Sequence, residues 1–129
     1  MSVTTAEVAE IIRGVSTRVI DPGFRRLSPD QIHEKAPGDL VTDLDRQAEG
    51  ELSRLLTSAG GGIVVGEESV HDDASVLQEL PTAELAWVID PIDGTKNYVN
   101  GSTHHAVMVA EVQHGVTTRS WIWQPQLGH

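Results

Sequence analysis

Apolar residues recur at Val8, Ile11, Ile12, Val15 and Val19, intervals of three and four that define one face of a helix. Thr4 and Thr5 stand before it as caps, and Asp21-Pro22-Gly23 ends it. Residues 24–35 are polar and contain Pro29, with room for a short second helix around 30–34. Pro37-Gly38 marks a turn and Thr42 an N-cap, opening a helix to about residue 58 whose inner face is Leu44, Ala48, Leu52, Leu55 and Leu56. Gly60-Gly61-Gly62 stops it. A short apolar strand follows at 63–66 and ends in Glu67-Glu68. Residues 71–80 are polar and acidic, a loop or a loose helix. A second apolar run, 85–90, predicts a buried strand with Asp90 at its tip and Asp93 in the turn beyond. Residues 105–112 form a third strand, His114-Gly115 a hairpin turn, and the alternating stretch 116–123 a fourth.

Two helices followed by strands with mostly short connections predict an α+β fold, two helices packed on a mainly antiparallel sheet. The 129 residues are one domain's worth of chain, and no repeat or linker interrupts them. At 39% hydrophobic residues the chain has enough apolar material for a core. Its 9 basic and 19 acidic residues give a net charge of −10 without a Lys/Arg cluster, which argues against nucleic-acid and anionic-membrane partners. An anionic substrate stays compatible with that charge, because a bound metal reverses the local sign. No cysteine is present, so disulfides, thiolate zinc sites and cysteine nucleophiles are excluded. The N-terminal stretch carries Glu7, Glu10 and Arg13 among its apolar positions, unlike a signal peptide, and a cytoplasmic protein is the expectation.

Charge leads to chemistry at two places. Glu67-Glu68 and the pair Asp90 and Asp93 end separate apolar strands, and two strand ends carrying carboxylates form a natural cage for hard cations. Gly94 can adopt angles that other residues resist, and Thr95 can cap whatever follows, so amide donors would face the same spot and suit a phosphate. Acids at strand ends also serve as simple turn formers, and the spacing alone is compatible with either role. No EF-hand loop exists. The tip of the aspartate-nucleophile phosphatases would need an acid where Pro91 stands.

The run Asp90-Pro91-Ile92-Asp93-Gly94-Thr95, with Gly66-Glu67-Glu68-Ser69 and the segment Asp39-Leu40-Val41-Thr42 leading to Asp45, resembles the inositol monophosphatase family of metal-dependent, lithium-sensitive phosphatases. Three motifs in the right order over about sixty residues are far more specific than one. The resemblance implies the N-terminal half of that family's layered α/β sandwich, often found as a homodimer. It also implies two or three Mg²⁺ ions, with Mn²⁺ as a substitute. By the same resemblance Glu67, Asp90, the Ile92 carbonyl and Asp93 hold metal. Glu67 and Thr95, the latter hydrogen-bonded to Asp45, activate the attacking water, while Asp93 and the amides of Gly94 and Thr95 hold the phosphate. Glu68 becomes a support, and Lys35 lies nearby without an assigned role. The implied reaction is hydrolysis of a small phosphate monoester of the inositol 1-phosphate kind. Relatives acting on histidinol phosphate or 3′-phosphoadenosine 5′-phosphate, among which Lys is common at position 96, give an alternative substrate. An inert metal-binding fragment or interaction module is an alternative of another class.

The family's later Trp-Asp pair is missing: Trp87, Trp121 and Trp123 precede Val88, Ile122 and Gln124. The resemblance therefore predicts a second metal position one carboxylate short, on a truncated chain that lacks the substrate-specificity half, and a sheet with one face uncovered. Lys96, the acids Asp72, Asp73 and Glu79, and the adjacent His104 and His105 read as surface and loop residues. Trp121 and Trp123 share a strand face, as core or subunit-contact residues do.

Overall fold

A computed structural model describes residues 3–129. Helix α1 (Thr5–Val15) begins at a reciprocal cap. The Thr4 hydroxyl accepts from the Glu7 N–H at 3.1 Å, and the Glu7 carboxylate accepts from the Thr4 N–H at 3.2 Å. The helix widens into one π-helical turn, Ser16–Ile20, before the short α2 (Asp21–Gly23). The wider turn lets both Val19 and Ile20 join Val8, Ile12 and Val15 in the core.

The helix expected around residues 30–34 is corrected. Only a 3₁₀ turn, Pro29–Gln31, is helical, and residues 32–36 form strand β1 (Ile32–Ala36), paired antiparallel with β2 (Asp39–Thr42). Pro37 disfavours a helical conformation at Ala36, and Gly38, at φ +78°, turns the chain back. The Gly38 N–H donates to the Glu34 carboxylate at 2.9 Å, which fastens the turn.

Helix α3 (Asp43–Gly60) starts at a second reciprocal cap, between Thr42 and Asp45, and stops at Gly61 with φ +75°. Ala48, Leu52 and Leu56 are fully buried, with Leu44 and Leu55 beside them at the margin of the core. That is the face the periodicity predicts. Burial contributes about 1.5–3 kcal/mol for each such leucine.

The main sheet has the order β3-β4-β5-β6: β3 (Ile63–Val65), β4 (Ala86–Asp93), β5 (Ala106–Gln113) and β6 (Val116–Trp123). Helices α4 (Glu67–Asp72) and α5 (Val76–Glu79) lie on the connection from β3 to β4, the one parallel pair; the other pairs are antiparallel. The β5–β6 turn holds His114 (φ +50°) and Gly115 (φ +81°) where the sequence places a hairpin. Strand β4 is longer than expected. It does not end at Asp90 but pairs with β5 as far as Asp93, with an irregularity between those two acids. Pro91 has no N–H for the ladder, so the strand bulges there instead of stopping.

One face of the sheet packs Trp87, Ile89, Val107 and Val109 against α1 and α3, with Trp121 and Trp123 joining that core. The opposite face is open around Val88, Met108, Ala110 and Ile122, and Ile122 is 59% exposed. Among the described residues no helix is long and apolar enough to cross a membrane.

Candidate active site

The bulge in β4 turns Asp90 and the Ile92 carbonyl toward the start of α3. Gly94 then takes a left-handed conformation (φ +85°) that opens α6 (Thr95–Val99), and a Cβ there would lie 3.0 Å from the His104 carbonyl oxygen. Glycine is required on both counts. Thr95 follows with its hydroxyl 3.1 Å from Asp45 Oδ1 and 3.0 Å from the Ile92 carbonyl oxygen, so its single hydrogen is shared between two acceptors. Asp45 is buried. Its other oxygen, Oδ2, accepts from the Thr42 N–H at 2.8 Å and the Thr42 hydroxyl at 2.6 Å. Burial pushes the Asp45 carboxyl above the usual carboxylate range, against the lowering effect of the Thr42 and Thr95 hydrogen bonds.

These residues border a cavity of about 290 Å³ with Lys35, Glu49, Glu67 and Lys96 on its walls. A larger hollow of about 730 Å³ lies at Gly60, Gly62 and Leu85, on the far side of the domain from Thr95. Its buried acid, Glu111, is already paired with Arg119, so the smaller cavity is the chemically equipped one.

Asp90 registers the crowding of charge. Its pKa is pushed up to about 6, first by burial and then by the negative charges of Asp93, Asp45 and Glu67, with only Lys35 acting in the other direction. Glu67 is ion-paired with the Lys35 ammonium, which also stands 3.7 Å from Asp39. Glu68 faces Arg46 at 3.3 Å. Asp93 does not line the cavity; with Asp90 it borders the groove on the open face of the sheet. Among the described residues no three acid or histidine side chains converge closely enough to hold an ion as they stand. Glu67 points to Lys35 instead.

The donor chemistry nevertheless fits a hard divalent cation. Glu67, Asp90 and Asp93 are carboxylates, Ile92 adds a carbonyl, and a bound cation would offset both the burial and the repulsion that raise Asp90.

Sequence reasoning left one partner without a role and overlooked another. Lys35 reaches Glu67 from the β1–β2 hairpin, which the sequence did not signal as a hairpin at all. Glu49 is buried, and its two oxygens accept the N–H groups of Glu68 at 3.0 Å and Ser69 at 2.9 Å. An acid one turn beyond Asp45, between the core positions Ala48 and Leu52, was the available signal. Lys96 is exposed at the cavity rim, as expected. Of the two histidines, His104 is exposed, whereas His105 is buried against Phe24 and Tyr98, with ring centroids 5.1 and 5.0 Å away.

Residues 2–129 match the model of the inositol monophosphatase family, and the chain belongs to that family. It is 33% identical over 108 residues to a fructose-1,6-bisphosphatase/inositol-1-monophosphatase of Aquifex aeolicus, an alignment covering 83% of this chain and 38% of the relative. It is also 33% identical over 95 residues to the Nus factor SuhB of Vibrio cholerae, covering 74% of this chain and 34% of that protein. The fold superposes on staphylococcal inositol monophosphatase-1, solved as an inhibitory complex soaked in 100 mM LiCl, with a TM-score of 0.74 at 18% identity over 99% of this chain and 47% of that one. The chain thus spans between a third and two fifths of the length of these curated relatives.

Proposed function

We propose that this chain carries the cation-binding and phosphate-binding part of a phosphate monoesterase that acts by water attack on a small substrate of the inositol 1-phosphate kind. One observation carries the reading. Asp90 is raised to about 6 among Asp93, Asp45 and Glu67, beside a threonine whose hydroxyl is held by a buried acid. Glu67, Asp90, Asp93 and the Ile92 carbonyl would hold Mg²⁺, or Mn²⁺ in its place. A divalent ion so bound supplies Lewis acidity toward phosphoryl oxygens and lowers the pKa of water.

The chain's own residues account for the remainder. Thr95, giving its hydrogen to Asp45 or Ile92, keeps oxygen lone pairs free to accept from a water and so fix its direction. Glu67, once released from Lys35, is a carboxylate able to take that water's proton. The amides of Gly94 and Thr95, at the start of α6, would receive the phosphate oxygens, and the Lys35 and Lys96 ammonium groups offset their charge. Histidinol phosphate and 3′-phosphoadenosine 5′-phosphate are the alternative substrates, both drawing support from Lys96 at the rim.

The test is release of inorganic phosphate from myo-inositol 1-phosphate at millimolar Mg²⁺. The expected result is turnover that Asp90→Asn abolishes and lithium inhibits. Failure with every monoester offered would count against an active enzyme. The Lys35–Glu67 ion pair withholds the carboxylate assigned to the water's proton, which gives, for the chain by itself, a second reading without turnover: a cation-binding module that uses Asp90, Asp93 and the Ile92 carbonyl.

A further inference from the structure

Helix α3 carries two buried acids four residues apart, and each ends on a different loop of the site. Asp45 receives Thr95. Glu49, 4% exposed, receives the N–H groups of the second and third residues of α4, Glu68 and Ser69, one on each oxygen. Gly66 records how close this approach is. A Cβ at that position would lie 2.7 Å from Glu49 Cδ and 2.8 and 2.9 Å from its oxygens. Gly66 has φ −142°, open to any residue, so a side chain there would be opposed not by the backbone angle but by the Glu49 carboxylate, which would have to leave its two N–H donors to make room.

A cap needed only for helix stability is available more simply. Thr4 and Thr42 cap α1 and α3 from their own N-cap positions. For α4 the acceptor comes instead from another helix, nineteen residues before Glu68, and requires burial of a carboxylate. What this adds over a local cap is a fixed distance between α3 and the Gly66-Glu67 turn, matching the one that Asp45 fixes between α3 and Thr95.

We propose that Glu49 is a positioning residue: through the first turn of α4 it sets the direction in which Glu67 projects, so that Glu67 can serve the same cation as Asp90. The proposal rests on the reading of the site given above. Glutamine at position 49 keeps the shape but has one acceptor oxygen for two donors.

The experiment combines amide hydrogen exchange with Mn²⁺ titration calorimetry on the full chain. Glu49→Gln should speed exchange at Glu68 and Ser69 while the Thr95 amide keeps its rate. It should also weaken Mn²⁺ binding by about tenfold, the scale expected when the support of a ligand is lost. That loss should vanish in a Glu67→Gln background yet persist in an Asp93→Asn background, a pattern that a general loss of stability does not produce. Equal losses in all three backgrounds, or unchanged exchange at Glu68 and Ser69, would overturn the proposal. If the parent chain binds no Mn²⁺, the reading of the site fails, and exchange decides the positioning role alone: faster exchange confined to Glu68 and Ser69 supports it, and uniform or absent change refutes it. Should Glu49→Gln not fold, Gly66→Ala, whose Cβ would lie 2.7 Å from Glu49 Cδ, is read by the same criteria.

Discussion

The Thr95 hydroxyl lies 3.1 Å from Asp45 Oδ1, and this one contact ties the end of the β4 bulge to the first turn of α3 across fifty residues of sequence. Asp45 does two jobs with its two oxygens: Oδ2 closes the cap at Thr42 and Oδ1 fixes Thr95. Removing the hydroxyl should therefore separate stability from chemistry. Thr95→Val is expected to cost about 1 kcal/mol of stability, the usual worth of a hydrogen bond, while eliminating phosphate release. Thr95→Ser should retain both. Thermal melts beside a phosphate-release assay check this, and a Thr95→Val chain with undiminished turnover would remove Thr95 from the proposed chemistry.

Gly94 sits at φ +85° with the His104 carbonyl 3.0 Å from where a Cβ would be. Gly94→Ala should lose about 1–2 kcal/mol through the left-handed conformation alone, with a lower melting temperature as the readout. A neutral result would mean that the turn can relax without strain.

Lys35 and a cation compete for Glu67 on the proposed reading. Lys35→Met should tighten Mn²⁺ binding several-fold, roughly what about 1 kcal/mol of a partly exposed ion pair is worth. Weaker binding by calorimetry would instead make Lys35 a helper of the site.

Far from the site, Arg119 reaches Glu111 at 2.5 Å, and that pairing holds the Glu111 carboxyl below its ordinary range. A carboxyl whose folded pKa is depressed contributes stability that is complete above the unfolded value, and the contribution fades as pH falls toward the folded one. This contribution should thus be lost as pH falls below the ordinary glutamate range, and Glu111→Gln should remove it from the slope of stability against pH. Chemical denaturation at several pH values measures it, and parallel slopes for both chains would contradict the assignment.

Helical periodicity was legible because each helix buries one continuous stripe: Val8, Ile12 and Val15 in α1, and Ala48, Leu52 and Leu56 in α3. Both caps and the β5–β6 turn were readable because a threonine or a glycine must stand where it does. The β1–β2 hairpin was not. Its strands are polar and partly exposed, so no alternation of apolar residues announces them. The apolar run 85–90 placed the tip of β4 at Asp90, yet the missing N–H of Pro91 produces a bulge that pairing on either side outlasts. In the site, Asp45, Glu67, Asp90, Ile92, Asp93, Gly94 and Thr95 were named from motifs; all but Asp93, which lies on the groove of the open sheet face, border one cavity. Glu49 and the Lys35–Glu67 pair escaped because their meaning lies in contacts nineteen to thirty-two residues apart, which no local pattern encodes.

The central claim is that the acids around Asp90 form a cation site. It is tested most directly by the melting temperature of the chain as Mg²⁺ is raised through the millimolar range. Binding to the folded state should raise the midpoint progressively, by an amount equivalent to about 1–3 kcal/mol once the ion is many-fold above its dissociation constant. Asp90→Asn should melt at one temperature throughout. An unchanged midpoint for the parent chain, or an equal rise in the Asp90→Asn variant, would contradict the claim.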